Sequence, residues 1–238
     1  MIHLLLAVLT SQAPAPAALP TDAFESACLT GNLTLVKEGL DRNPDWVDAR
    51  DDRGVSFLLN ALHRRKTAVV EEFVKRRKTF DAYEAASLGD LETLRNETRR
   101  NPSLINAPSG EGFTTLHLAA FYAKPELVEF LIRAGANVAQ IARRPRVMPL
   151  HSAIAGRCLV CARLLLQSGA DANAPEDNGL RPLHAAAAAN DRPLAELLIS
   201  HRADPAVPAD GGKTPIDVAR EKGHHELAAW LTGASSSR

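Results

Sequence analysis

Three things are scarce in this 238-residue chain, and each scarcity excludes something. Cysteine occurs three times, at positions 28, 158 and 161, too few for the disulfide framework on which small secreted domains depend. Aromatic residues make up 5% of the chain, so alanine and leucine must do most of the packing. Excess charge of one sign is absent, because 28 basic residues balance 28 acidic ones. That balance gives no bulk affinity for nucleic acid, and no specific nucleic-acid partner is expected. Catalytic signatures are missing too. No G-x-S-x-G occurs, and no pair of carboxylates stands out. Gly211-Gly212-Lys213-Thr214 looks like the end of a phosphate loop, but Val207 occupies the position where the loop requires glycine. An enzyme is therefore not expected.

What the chain does have is a pattern that starts over. Residues 112–137 read as a turn, a short apolar helix around Leu116-His117-Leu118-Ala119-Ala120, a tight turn and a second helix. Leu127, Val128, Leu131 and Ile132 share one face of that second helix. Gly135 comes next, where a left-handed residue ends a helix. Two such helices cannot bury their own apolar faces, so they need neighbours. With Leu116 as origin, equivalent positions fall at Leu150, Leu183 and Ile216, in steps of 34, 33 and 33, and upstream at Ala82, Leu58 and Phe24. The motif residues are Thr115-Leu116-His117, Pro149-Leu150-His151, Pro182-Leu183-His184 and Thr214-Pro215-Ile216. Gly169-Ala170-Asp171 and Ala203-Asp204 close two of the units.

On those residues the chain resembles the ankyrin-repeat family over roughly residues 22 to 232. The resemblance implies an all-α repeat solenoid, an array of helix–turn–helix units with β-turn fingers. About seven repeats are expected, the first three degenerate. The hydrophobic fraction of 45% suffices for a continuous seam in which each unit touches only its neighbours. The array is expected over residues 21–232, with a disordered polar tail at 233–238. The step from Leu58 to Ala82 is short, so the finger between the second and third units should be missing. Val69, Val70, Phe73 and Val74 should face inward in the second unit, and Trp46 and Val47 should cover the end of the seam.

Residues 1–20 stand apart, with an apolar run at 4–9 followed by an Ala/Pro-rich stretch. One reading is a signal peptide cleaved near Ala13 or Ala17, against which the run is short and lacks a basic flank. The other is a disordered leader. The run is too short for a transmembrane span of about 20 residues. Export implies a periplasmic or secreted protein, with the cytoplasm as the alternative. Asn32-Leu33-Thr34 and Asn96-Glu97-Thr98 match the glycosylation pattern, and both fall at helices.

Several residues invite chemistry. His117, His151 and His184 recur at the period, but one repeat separates each from the next, about 10 Å in stacked helices, too far to share a metal at about 2 Å. The family resemblance implies instead that each bonds backbone of the neighbouring repeat. Cys158 and Cys161 form C-x-x-C without the βαβ unit of a redox motif or the further ligands of a zinc site. Buried free thiols acting as small hydrophobes fit better, although export would let the pair oxidise. Residues 64–78 carry seven basic and two acidic side chains, some at a helix C-terminus where cations are favourable. A second basic run, Arg143-Arg144-Pro145-Arg146, falls at a finger tip.

Function must then lie on the surface. In the family, partners bind the concave face made by finger tips and the outward side of each first helix. Carried onto this chain, those positions hold Glu111, Phe113, Phe121 and Tyr122, then Arg144, Pro145 and Val147, then Asp177, Asn178 and Leu180. Phe113 and Phe121 fit packing between fingers as well as contact, whereas Tyr122 and Arg144 favour contact. The expectation is a monomeric, non-catalytic scaffold that binds a protein partner across the fourth to sixth units, without cofactor or metal. The alternative is a thiol-redox or metal-linked activity at Cys158 and Cys161.

Overall fold

The computed structural model describes residues 21–143 and 145–236. The leader at 1–20 and Arg144 lie outside the described residues. Among the described residues, fourteen α-helices form seven successive pairs: α1 (Thr21–Thr30) with α2 (Leu33–Arg42), α3 (Phe57–His63) with α4 (Thr67–Arg76), α5 (Ala82–Leu88) with α6 (Leu91–Arg100), α7 (Thr115–Phe121) with α8 (Pro125–Arg133), α9 (Pro149–Ala155) with α10 (Leu159–Gln167), α11 (Pro182–Ala188) with α12 (Arg192–Ser200), and α13 (Pro215–Glu221) with α14 (His225–Ser236). Among the described residues there is no strand, only an isolated bridge between Arg50 and Ser56. The all-helical repeat architecture is as expected.

The helices begin where the sequence offers caps. The side chains of Asn32, Ser56, Asp90 and Asp191 each accept an N–H from the first turn of the adjoining helix. Asp81 with Glu84 and Thr114 with His117 form reciprocal capping boxes. Every helix pair turns through one left-handed residue: Gly31, Arg65, Gly89, Ala123, Arg157, Asn190 and Gly223 in order. Four of the seven lack the freedom of glycine, so the turn is imposed by packing as much as by residue choice.

The chain divides into two compact units, one of residues 21–52 with 56–77, the other of 53–55 with 78–236. In the first, Phe24 is the centre. Its ring lies 4.9 Å from Trp46, 5.4 Å from Phe57 and 6.2 Å from Phe73. Val69 and Phe73 face inward as expected, but Val74 is 40% exposed, because one residue past Phe73 the helix has turned about 100° away. Cys28 is a buried free thiol. Only residues 77–81 separate α4 from α5, with no finger between.

In the second unit α7 packs on α5 and α9, α9 on α11, and α11 on α13, while α8, α10 and α12 stack alongside. Leu131, Leu165, Leu198 and Leu231 are fully buried at repeat spacing, and Ala119, Ala120, Ala153, Ala186 and Ala187 let the first helices approach closely. Each finger closes by an N–H bond to a carbonyl: Ser109 to Phe113, Glu176 to Leu180, Ala209 to Lys213, and Ala142 to Val147. The last spans one residue more than the others, which explains the step of 34. α14 continues through Gly233 to Ser236, where a disordered tail was expected. Thr232 helps to hold that end by donating to the Ala228 carbonyl at 2.8 Å.

Candidate partner-binding surface

The fingers and first-helix ends of the second unit hold the residues singled out from sequence. The finger at 109–112 is a tight turn in which Gly112, at φ +89°, donates to the Ser109 carbonyl. It borders a cleft of about 740 Å³ lined by Arg53, Pro108, Ser109, Glu111, Phe113 and Arg143. Glu111 and Phe113 thus meet in one cleft. Phe113 is half-buried, its ring 5.9 Å from that of His117. Phe121 is 38% exposed and meets Tyr122 edge-on at 5.1 Å, while Tyr122 itself is half-buried against the core. Pro145 is exposed. Val147 differs from its neighbours in being turned inward. It is 8% exposed, because it closes the long finger and its carbonyl takes the N–H groups of Ala142 and His117. In the next finger Asp177 and Asn178 are exposed and Leu180 is half-buried. Asp177 accepts the backbone N–H of Arg146 at 3.2 Å, and the Asn178 carbonyl accepts that of Asp210 at 3.0 Å. Those two residues therefore tie neighbouring fingers together as well as facing solvent.

Beneath the fingers runs a ladder of neutral imidazoles. Nε2 of His117 donates to the Val147 carbonyl at 3.1 Å, His151 to Ala174 at 3.0 Å, and His184 to Lys213 at 3.0 Å. Nδ1 of each accepts a backbone N–H, from Thr114, Met148 and Arg181 respectively. This pattern fixes the Nε2–H tautomer. Burial pushes His117 down to about 4 and lowers His151 and His184 as well. The histidines are staples between helix pairs, and among the described residues no group of three His, Cys, Asp or Glu side chains could hold a metal ion.

A second hollow, of about 300 Å³, opens between α9 and α11, lined by Ile154, Ala155, Arg157, Glu176 and Ala189 among others. Beside it, Gly156 lets the end of α9 approach that of α7, since a Cβ there would come within 2.1 Å of the Phe121 carbonyl oxygen. Sequence reasoning missed this hollow because it weighed large side chains. The positions equivalent to Phe121 and Tyr122 hold Ala155 and Gly156 in one unit and Ala188 and Ala189 in the next. Runs of small residues there were the available signal.

A family model described as ankyrin repeats (3 copies) matches residues 82–176 and 150–237, more than half of the chain. The chain belongs to the ankyrin-repeat family. Ankyrin repeats are protein-interaction modules, and that role comes with the family. Among curated proteins, the chain is similar to an E3 ubiquitin-protein ligase, KEG, of Arabidopsis thaliana, at 43% identity over 68 residues, 29% of this chain and 4% of that protein. It is 28% identical over 158 residues to an ankyrin repeat domain-containing protein, SAT10, of Stachybotrys chartarum, covering 65% of this chain and 8% of the other. It is 28% identical over 127 residues to the human DNA-binding protein RFXANK, covering 50% and 48%. The chain therefore spans less than half the length of each of these relatives.

The cysteines of this ankyrin array depart from expectation. Cys158 and Cys161 are not free thiols but are joined by a disulfide. Cys158 caps α10, its sulfur accepting the Cys161 N–H at 3.1 Å, in the place held by Asp90 and Asp191 before α6 and α12. The spacing that lets a capping side chain reach the third helical residue also lets these two sulfurs meet. Cys28 remains a thiol, pushed up to about 12 by burial and then by the charge of Glu25. The basic run at 64–78 is partly neutralised within the first unit: Arg76 pairs with Asp41 at 2.7 Å and with Glu72, and Arg77 pairs with Asp48 at 3.0 Å.

Proposed function

We propose that this ankyrin chain is a non-catalytic scaffold that holds a protein partner across the fingers and first helices of the fourth to sixth helix pairs. The observation that carries the reading is the finger cleft, in which Glu111 and Phe113 face Arg143. A binding site built this way keeps its shape before the partner arrives, so little conformational freedom is lost on association. The exposed Phe121 ring, held edge-on by Tyr122, supplies an aromatic anchor of the type that dominates interface energetics. Pro145, Asp177, Asn178 and Leu180 extend the surface. The internal pairing of Arg76 and Arg77 supports the absence of a specific nucleic-acid partner.

The compartment we propose is extracytoplasmic. The Cys158–Cys161 disulfide supports it, because such bonds persist where the surroundings are oxidising. No helix among the described residues is long and apolar enough to cross a membrane.

The test is affinity capture from the native host with wild type and a Phe121→Ala/Arg143→Ala variant, followed by titration of the captured protein. Both side chains are exposed, so folding should be unaffected by circular dichroism. A loss of about 1–4 kcal/mol in affinity is expected. Unchanged affinity would move the interface off this face.

A further inference from the structure

We propose that the hollow between α9 and α11 is a recognition pocket for a lysine side chain carried on a protein segment. This rests on the protein-binding reading above and gives that partner a chemistry. The hollow offers about 300 Å³, the share of roughly ten waters, which is room for a four-carbon stem and its ammonium. Its walls are mostly aliphatic: Ile154 and Ala155 come from α9, and Ala185 and Ala189 from α11 and its end, joined by the buried neutral imidazole of His151. Ile154 stands where the neighbouring first helices carry Ala120 and Ala187, and so adds apolar surface.

The two ends of the hollow differ in charge. Glu176 enters from the finger before α11, and Arg157 from the turn after α9. Among the described residues, neither side chain makes a hydrogen bond or an ion pair, so they do not neutralise each other. A half-buried carboxylate with no donor carries a desolvation cost that a bound cation relieves. That cost is visible in Glu176, whose carboxyl is pushed above its ordinary range by burial and then by Asp177. An incoming ammonium meets Glu176 while its stem covers the apolar wall. Arg157 at the other end repels a second cation and favours an acidic residue beside the lysine. A purely aliphatic side chain would leave Glu176 buried further and unpaired, and so is disfavoured by the same groups.

The test is a synthetic array of dodecapeptides made as twins, lysine in one and norleucine in the other, probed with the full chain. Binding of lysine peptides at least about tenfold tighter than their norleucine twins is expected, with that preference lost in Glu176→Gln. Ala189→Leu, which fills the hollow from an exposed position, should abolish binding of the same peptides. No binding above background, or equal binding by the twins, overturns the proposal. Peptides lost by Phe121→Ala/Arg143→Ala but kept by both Glu176→Gln and Ala189→Leu would overturn the lysine pocket and leave the broader binding surface standing.

Discussion

The first unit is held by rings that each occur once, the second by groups that recur at repeat spacing. In the first, Phe24 collects Trp46, Phe57 and Phe73 around itself, and the buried Glu72 is shared with Arg76. In the second, leucines, alanines and histidines repeat from pair to pair, and each histidine bonds a backbone carbonyl in or just before the next finger. The same helix-pair template thus tolerates two kinds of cohesion. One is a small core with a single irreplaceable centre. The other is a chain of equivalent neighbour contacts, in which no one residue dominates.

The chain carries two tryptophans, Trp46 in the first unit and Trp230 in the second, so each unit has its own fluorescent reporter. The largest contrast should come from Phe24→Ala. Removing a buried phenylalanine costs about 3–5 kcal/mol, and hydrogen exchange should show lost protection across α1 to α4. Retained protection in those helices would mean that the ring cluster is not their centre.

Acid should act on the other unit. His117 lies at about 4 when folded, below the ordinary 6.5, so as pH falls the unfolded chain takes up the proton first. Stability from this group is therefore complete above about 6.5 and is lost as pH drops towards 4, on the order of 3 kcal/mol in all. His151 and His184 are lowered too and push in the same direction. Urea unfolding monitored through Trp230 in a Trp46→Phe background should show the decline, and His117→Gln should flatten it. A curve of the same slope in that variant would exclude His117 as the source.

The smallest effect sharpens the contrast within the second unit. Reducing Cys158–Cys161 opens a very short loop, worth about 1–2 kcal/mol in the chain-entropy account. The Trp230 transition should shift by that amount with reductant and not at all in Cys158→Ser/Cys161→Ser. A Trp230 transition unmoved by reductant in the wild type would show that the bond adds nothing to this unit.

Much of the fold was legible because repeat spacing fixes which residues share a seam. Leu116, Leu150 and Leu183 are buried where the period put them, and the missing finger before α5 was implied by a short step. Properties set by the third dimension were not legible. Val74 comes directly after Phe73 in sequence, yet one helical step turns it to solvent. Val147 occupies a finger position but is drawn inward as acceptor for His117. A C-x-x-C spacing is the same for thiols and for a disulfide, so Cys158 and Cys161 could not declare their state. For the binding surface, sequence picks out side chains that protrude, such as Phe121. It does not reveal a space, and the hollow over Ala155 and Ala189 is defined by atoms that are absent.

The histidine ladder also runs one way. Each imidazole reaches forward, His117 to a carbonyl 30 residues on, His151 to one 23 on, and His184 to one 29 on. At the corresponding position α13 carries Asp217, which closes back on Thr214 and needs no partner from further along the chain. During synthesis, then, each helix pair that carries one of these histidines waits with an unmet donor until the chain ahead has emerged, and that part of the array matures by successive release. A chain cut after α8, α10 or α12 would leave a histidine without its acceptor carbonyl, whereas one cut after α14 would not.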